Sequence, residues 1–224
     1  MVKAVLIDID NTLLDFNKCA EKSIEIAFNK FGLGFNEKVF PVFKKINDGL
    51  WLDIEKNIIT REILHDIRFN KVLSALGIEF DGHLIEKEFL KNLALTAFAV
   101  DGAEEITKYL SQKYILCTAS NAFYNQQVNR LTTAGIYPFI SKMFISERIG
   151  FSKPNVEFFD ACINGLNGID KSQVVMIGDS LTADIYGAKR YGIKTIWFNK
   201  EGIDKHVNEA DYTVTSLMQI KEIL

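Results

Sequence analysis

Two short apolar runs in this chain each end on aspartate, and that pattern limits the fold more than any other feature. The first is Val5-Leu6-Ile7-Asp8-Ile9-Asp10-Asn11-Thr12-Leu13-Leu14-Asp15, and the second is Val174-Val175-Met176-Ile177-Gly178-Asp179-Ser180. Continuous aliphatic runs without polar alternation read as strands covered on both faces, the type found in parallel sheets. Polar turn residues directly after such strands place the acids at the C-terminal edge of the sheet, where α/β proteins keep their ligand sites. An acid is costly to bury without a partner, so two such endings point to a site and not to chance.

The remainder of the chain fits that reading. After about residue 99, apolar segments near 114–119, 142–146, 174–178, 194–198 and 212–215 alternate with amphipathic helical stretches. This is the βαβ rhythm of a doubly wound parallel sheet, with residues 3–9 supplying its central strand. Residues 16 to about 98 carry no strand pattern. They show helical ones instead, such as Cys19-Ile24-Ala27-Phe28-Phe31 before Gly32 and Ile63-Ile67-Leu73-Leu76 before Gly77. The predicted organisation is an α/β, Rossmann-like core from residues 1–15 plus 99–224, with an all-helical domain, residues 16–98, inserted after the first strand and turn. No internal repeat or low-complexity segment interrupts either part.

Composition narrows the function classes. With 224 residues, 48% hydrophobic and 25% charged, the chain can bury a substantial core. A net charge of −3 and a pI near 5.7 give no polycationic footprint, so neither polymeric nucleic acid nor an anionic membrane is an expected partner. Cys19, Cys117 and Cys162 are odd in number and far apart, with no CxxC, which argues against a disulfide scaffold or a zinc site. Met1-Val2-Lys3 leads straight into the first strand and no apolar run nears the roughly 18 residues of a membrane span. A cytoplasmic protein is expected. The oligomeric state is not legible. His65, His83 and His206 are scattered among charged residues and receive no role.

The chemistry follows from the acids. A carboxylate with the ordinary Asp pKa of about 3.9 is ionised at neutral pH, so Asp8 can attack an electrophile without a base to activate it. Asp10, holding a proton for part of a cycle, can give it to a leaving oxygen and later take one from water. That division of labour suits phosphate ester hydrolysis through an aspartyl phosphate. Two anions cannot meet a phosphate dianion unaided, since unit charges 4 Å apart repel by roughly 4 kcal/mol at an effective dielectric of 20.

Cations must therefore be supplied. Lys153, in Gly150-Phe151-Ser152-Lys153-Pro154, is one candidate, because Pro154 biases its predecessor to an extended backbone near a turn. Taken alone, such a lysine is more simply a solvated surface charge. The other candidate is a metal: Asp8 and Asp179 can share one hard cation with waters and a phosphate oxygen, the way Mg²⁺ prefers to bind. Asp184 lies near the start of a helix expected over 183–190, and reads either as an acid beside that metal or as a first-turn acid complementing the helix dipole. In Tyr114-Ile115-Leu116-Cys117-Thr118-Ala119-Ser120-Asn121, either Thr118 or Ser120 offers a hydroxyl to a phosphoryl oxygen; spacing favours Ser120, while a hydroxyl tied to nearby backbone is the alternative for Thr118.

Asp8-Ile9-Asp10-Asn11-Thr12-Leu13, Ser120-Asn121, Lys153-Pro154 and Gly178-Asp179-Ser180 with Asp184 together resemble the four motifs of the haloacid dehalogenase superfamily, in the right order. The resemblance implies that Asp8 is the nucleophile, that Asp10 is the general acid/base and lends its backbone carbonyl to Mg²⁺, and that Asp179 ligates the metal. It places Asp184 beside the metal as a ligand or one step removed, and Asn11, Ser120, Asn121 and Lys153 at the phosphate. The helical insert resembles the superfamily's C1 cap type, and its segment from Asn47-Asp48-Gly49-Leu50-Trp51 through Arg68-Phe69 resembles the pyrimidine 5′-nucleotidase branch, the house-cleaning nucleoside monophosphatases. A lid of this kind would limit bulk water and sort substrates. Phe16, Phe28, Phe31, Phe35, Phe40, Phe43 and Trp51 make the cap's first half aromatic; most read as core, with one or two available to stack a base.

The resulting expectation is a Mg²⁺-dependent phosphatase of a small phosphomonoester, a pyrimidine nucleoside 5′-monophosphate above others. A sugar phosphatase or phosphomutase on the same core is the rival, and a non-catalytic binding protein the reading from another class. Dehalogenation is disfavoured, because that branch of the superfamily does not use the second aspartate supplied here by Asp10.

Overall fold

The structure, a computed structural model, describes residues 1–202 and 210–224. His206, which received no role, lies outside the described residues. In chain order the strands and helices are β1 (Ala4–Ile7), α1 (Phe16–Lys30), α2 (Val39–Glu55), α3 (Arg61–Leu76), α4 (Gly82–Leu93), α5 (Ala103–Lys113), β2 (Ile115–Ser120), α6 (Tyr124–Thr133), β3 (Lys142–Ile145), α7 (Ser146–Ile149), α8 (Val156–Asn164), β4 (Val174–Gly178), a π-helical turn (Leu181–Tyr186) running into α9 (Gly187–Tyr191), β5 (Lys194–Phe198) and β6 (Tyr212–Val214). They form two compact units: Met1–Asp15 with Ala97–Leu224, and Phe16–Thr96.

The first unit is an α/β fold on one parallel sheet of order β3-β2-β1-β4-β5-β6. Its central strand β1 pairs with β2 on one side, Leu6 opposite Cys117, and with β4 on the other, Leu6 opposite Met176. Side chains alternate across a strand, so Val5 and Ile7 enter one core with Ile106, Leu131 and Ile196, while Ala4 and Leu6 enter a second with Phe158, Phe159 and Met176. Covering both faces is what allows these strands to be apolar throughout.

The chain leaves and re-enters this unit at one place. Asp15 N donates to Phe98 O at 2.8 Å and Val100 N to Leu13 O at 2.9 Å, so the two crossing segments lie side by side.

The second unit is helical throughout. Its core gathers Phe28, Phe43, Phe69 and Phe89, with ring centroids 5.5 Å apart for Phe43 and Phe69 and 5.3 Å for Phe69 and Phe89. Phe16, Phe31, Phe35 and Phe40 pack against that core, whereas Trp51 packs on a smaller cluster of Leu50, Ile54 and Leu64. Gly77 ends α3 at φ +69°, a left-handed conformation that glycine adopts without strain. The buried stripe of α3 differs from the predicted one: Ile63 is exposed, and Leu64, Arg68, Phe69, Val72 and Leu73 face inward. Arg68 is buried because Glu86 accepts two of its N–H groups, at 3.1 and 2.5 Å, and Asn47 a third at 2.8 Å. His65 Nδ1 lies 2.8 Å from the same Glu86 carboxylate.

The three cysteines are free and buried. Among the described residues no helix is long and apolar enough to cross a membrane.

Candidate active site

β1 ends at Ile7, and the next residue turns off the sheet: Asp8 N still donates to Ile177 O at 2.8 Å, holding its backbone against β4. The following residues fold back tightly, since Ile9 O accepts from Leu13 N at 2.9 Å and from Leu14 N at 2.8 Å. Asn11 makes the turn possible at φ +61°, a region that asparagine tolerates better than most residues. Asn11 N donates to Leu14 O at 2.7 Å, so the contribution seen for this residue is to the turn's backbone. Thr12, fully buried, donates its hydroxyl to Asp179 Oδ1 at 3.2 Å and ties this loop to the end of β4.

Asp8, Asp179 and Asp184 converge at this edge, each with a carboxylate oxygen within 4.8 Å of the others. Lys153 reaches the cluster from the turn before α8. Its Nζ donates to Asp8 Oδ1, Asp184 Oδ1 and Ala119 O, each at 2.6 Å. Lys153 is therefore no surface charge; it is almost fully buried. Asn121, one residue beyond β2, fixes that turn by donating from Nδ2 to Lys153 O at 2.9 Å and accepting from Lys153 N at 2.8 Å.

Asp184 is not an ordinary first-turn acid. The helix expected to begin at 183 starts at Leu181 as a wide π turn, with Ile185 N donating to Ser180 O at 3.1 Å, and this carries the Asp184 side chain inward, where it is 1% exposed. Its Oδ2 accepts from Ser180 N at 3.1 Å. Gly178 is what makes room, because a Cβ there would collide with the Asp184 carboxylate. Gly178→Ala is expected to cost about 1–3 kcal/mol by overpacking. At about 2–4 °C per kcal/mol for a chain of this size, thermal unfolding of the metal-free protein should show a Tm lower by roughly 2–12 °C.

The electrostatics follow from burial. Loss of water pushes the Asp8 carboxyl up to about 7; Lys153 opposes this, and the nearby Asp184 and Asp10 carboxylates add to it. Asp179 is pushed well above the ordinary aspartate value, first by burial and then by Asp8 and Asp184. Burial works against the Lys153 ammonium, but Asp184 and Asp8 outweigh it and hold its proton more tightly than in water. The carboxyls of Asp8 and Asp179 therefore hold their protons more tightly than an ordinary aspartate does, and added positive charge beside them would favour their ionised forms. With Asp8, Asp179 and Asp184 ionised and Lys153 protonated, three negative charges face one positive. The deficit is two charges, which a hard divalent cation with oxygen ligands would fill.

Asp10 stands apart from that cluster. Arg130 Nη1 donates to its Oδ1 and Gln127 Nε2 to its Oδ2, both at 2.6 Å. Ser120, the last residue of β2, has its hydroxyl 3.3 Å from the same Gln127 Nε2. Thr118 sits inside the strand, paired with Ile7 and Met143, and its buried hydroxyl has no partner among the described residues. The edge position belongs to Ser120.

Thr12, Gln127, Arg130 and Trp197, whose Nε1 donates to Asp179 O at 2.9 Å, were not singled out from the sequence. On a strongly polar helix, Gln127 and Arg130 read as a solvated face; only the packing of α6 against the sheet turns that face to Asp10.

Residues 2–192 match the family model of haloacid dehalogenase-like hydrolases. The chain is 31% identical to the pyrimidine 5′-nucleotidase PynA of Streptococcus pneumoniae, over 99% of this chain and 94% of that one. It is 29% identical to a glyceraldehyde 3-phosphate phosphatase of Methanothermobacter thermautotrophicus over the full length of both. Among solved structures it superposes with a TM-score of 0.93 on YfnB from Bacillus subtilis bound to magnesium, at 31% identity and covering 100% of this chain and 98% of that one. The fold, the motif residues and these matches agree: the chain belongs to the haloacid dehalogenase-like hydrolases.

Proposed function

We propose that the protein is a Mg²⁺-dependent phosphatase of small phosphomonoesters that works through an aspartyl phosphate on Asp8. The observation that carries this reading is the cluster of buried Asp8, Asp184 and Lys153 with half-buried Asp179 at the C-terminal edge of the parallel sheet, two positive charges short of balance.

An Asp8 carboxylate oxygen attacks phosphorus in line with the ester oxygen. The new O–P bond forms as the old one breaks, and its electron pair stays on the departing oxygen. Asp10, in its acid form, gives that oxygen a proton. Water then attacks the phosphorus of the aspartyl phosphate, Asp10 takes a proton from it, and inorganic phosphate leaves with Asp8 regenerated. Lys153 holds positive charge beside Asp8 throughout, Asn121 and Asp184 fix its place, and the Ser120 hydroxyl is set to bind a phosphoryl oxygen. A Mg²⁺ ion held by Asp8, Asp179 and the Asp10 carbonyl, with Asp184 beside it, would neutralise charge on the phosphoryl group.

For the substrate, the likeness to PynA favours a pyrimidine nucleoside 5′-monophosphate, with the helical unit acting as the cap that sorts substrates. The likeness to the Methanothermobacter enzyme keeps a sugar or triose phosphate as the second reading. A base adds apolar and stacking contacts worth about 1–3 kcal/mol, so dUMP or dTMP should exceed glucose 6-phosphate and glyceraldehyde 3-phosphate in kcat/KM by roughly tenfold to a few hundredfold. Steady-state assays of released phosphate over these substrates decide it. A sugar or triose phosphate cleaved better than every nucleotide would replace the nucleotidase reading and leave the aspartyl phosphate in place.

A further inference from the structure

Asp10 is held on both of its carboxylate oxygens by fully buried side chains. We propose that Gln127 and Arg130 are positioning residues for its proton transfer, fixing the carboxyl plane so that one lone pair faces the leaving oxygen; this rests on the phosphatase reading above. Arg130 is fully buried while the Asp10 side chain is 28% exposed, so the guanidinium lies beneath the acid and the acid faces outward. A solvated ion pair would expose both partners.

The two donors divide the carboxylate between them. Oδ1 takes Arg130 Nη1 and Oδ2 takes Gln127 Nε2, both at 2.6 Å, the short range of charge-assisted bonds. Rotation about the last torsion of an aspartate is otherwise soft and broad, and a donor on each oxygen removes that freedom. Each carboxylate oxygen has two lone pairs, so one bond to each leaves a second site free for the transferred proton.

The donors also brace each other and the phosphate site. Residues three apart share a helix face, and Arg130 Nη1 lies 3.2 Å from Gln127 Oε1 on α6. Gln127 Nε2 lies in turn 3.3 Å from Ser120 Oγ, so the position of the acid is set relative to the end of β2.

The test separates positioning of a proton donor from general support of the fold. An aryl leaving group such as p-nitrophenolate departs without a proton, whereas an alkoxide needs one, and kcat/KM reports only events up to the first irreversible step. Parent, Gln127→Met and Arg130→Met would be compared at saturating Mg²⁺ on p-nitrophenyl phosphate and on whichever of dUMP, dTMP and glucose 6-phosphate the parent cleaves fastest. Misplacing the acid should cost the alkyl substrate at least about tenfold more than the aryl one, part of the 10²–10⁴-fold that general acid catalysis supplies. Asp10→Asn should shift the ratio in the same direction and further.

Equal losses on both substrates, or an unchanged ratio in the variants, would overturn the assignment. Should Arg130→Met not fold, Gln127→Met decides, because it removes a neutral group and leaves the ion pair to Asp10 in place. A parent inactive on every phosphomonoester would remove the phosphatase reading and this assignment with it; an active parent with equal losses overturns the assignment alone.

Discussion

Asp8→Asn is expected to lower phosphomonoester turnover by at least about 10⁴-fold, the scale on which removal of a covalent nucleophile acts. The amide matches the carboxylate in size and keeps an oxygen to accept from Lys153, so the site stays packed. It cannot form the acyl phosphate. The same substitution deletes a buried negative charge that the surrounding acids oppose, and the metal-free variant should therefore melt at or above the parent's Tm. Rates with a chromogenic phosphomonoester and a thermal melt read both effects. Turnover within a hundredfold of the parent would take the nucleophile's role from Asp8, and an unfolded variant would mean that Asp8 is structural.

The second large effect is that of divalent metal. Excess chelator should abolish activity and Mg²⁺ restore it, whereas Ca²⁺, with its larger and looser coordination shell, should bind without supporting turnover. Stability carries a signature that activity does not. Asp8 has a folded pKa of about 7 against an ordinary 3.8, so between those values the folded chain keeps a proton that the unfolded chain releases. Stability that is fully present below about pH 4 is then lost as the pH rises towards 7.

Mg²⁺ binds the ionised carboxylates and should reverse that loss, so its gain in Tm should be larger at pH 8 than at pH 5. At a hundredfold excess over Kd the stabilisation is about 2.7 kcal/mol, which corresponds to roughly 5–11 °C for a chain of this size. A Tm gain independent of pH, or full activity in chelator, would contradict the metal site.

The parallel sheet was legible because a strand buried on both faces must be apolar along its length. Val5-Leu6-Ile7 and Val174-Val175-Met176-Ile177 meet that demand, and the two strands pair with each other at the centre of the sheet. Asp8 and Asp179 were legible for the complementary reason: a charge at the end of such a run needs a function or a partner. The helical insert was legible in its existence and type, and less so in which face is buried. On α3, Ile63 and Leu64 are adjacent in sequence and nearly equal in hydrophobicity, and packing against neighbouring helices decides that Leu64 goes inside.

What the sequence by itself determined is therefore the order of elements and the identity of the acids at the sheet edge, since both follow from local periodicity and from the cost of burying charge. What only the tertiary structure decided is how those acids are held. Lys153, already a candidate cation as sequence, is 145 residues from Asp8 and meets it in a buried contact, while Arg130, 120 residues from Asp10, and Thr12, 167 from Asp179, carried no mark of their partners. Polar residues such as Gln127 and Arg130 suit a solvated helix face and a buried site equally well as sequence. The fold distinguishes the two, because a buried guanidinium is stable only where a carboxylate waits for it, and β1 and α6 bring that carboxylate to Arg130.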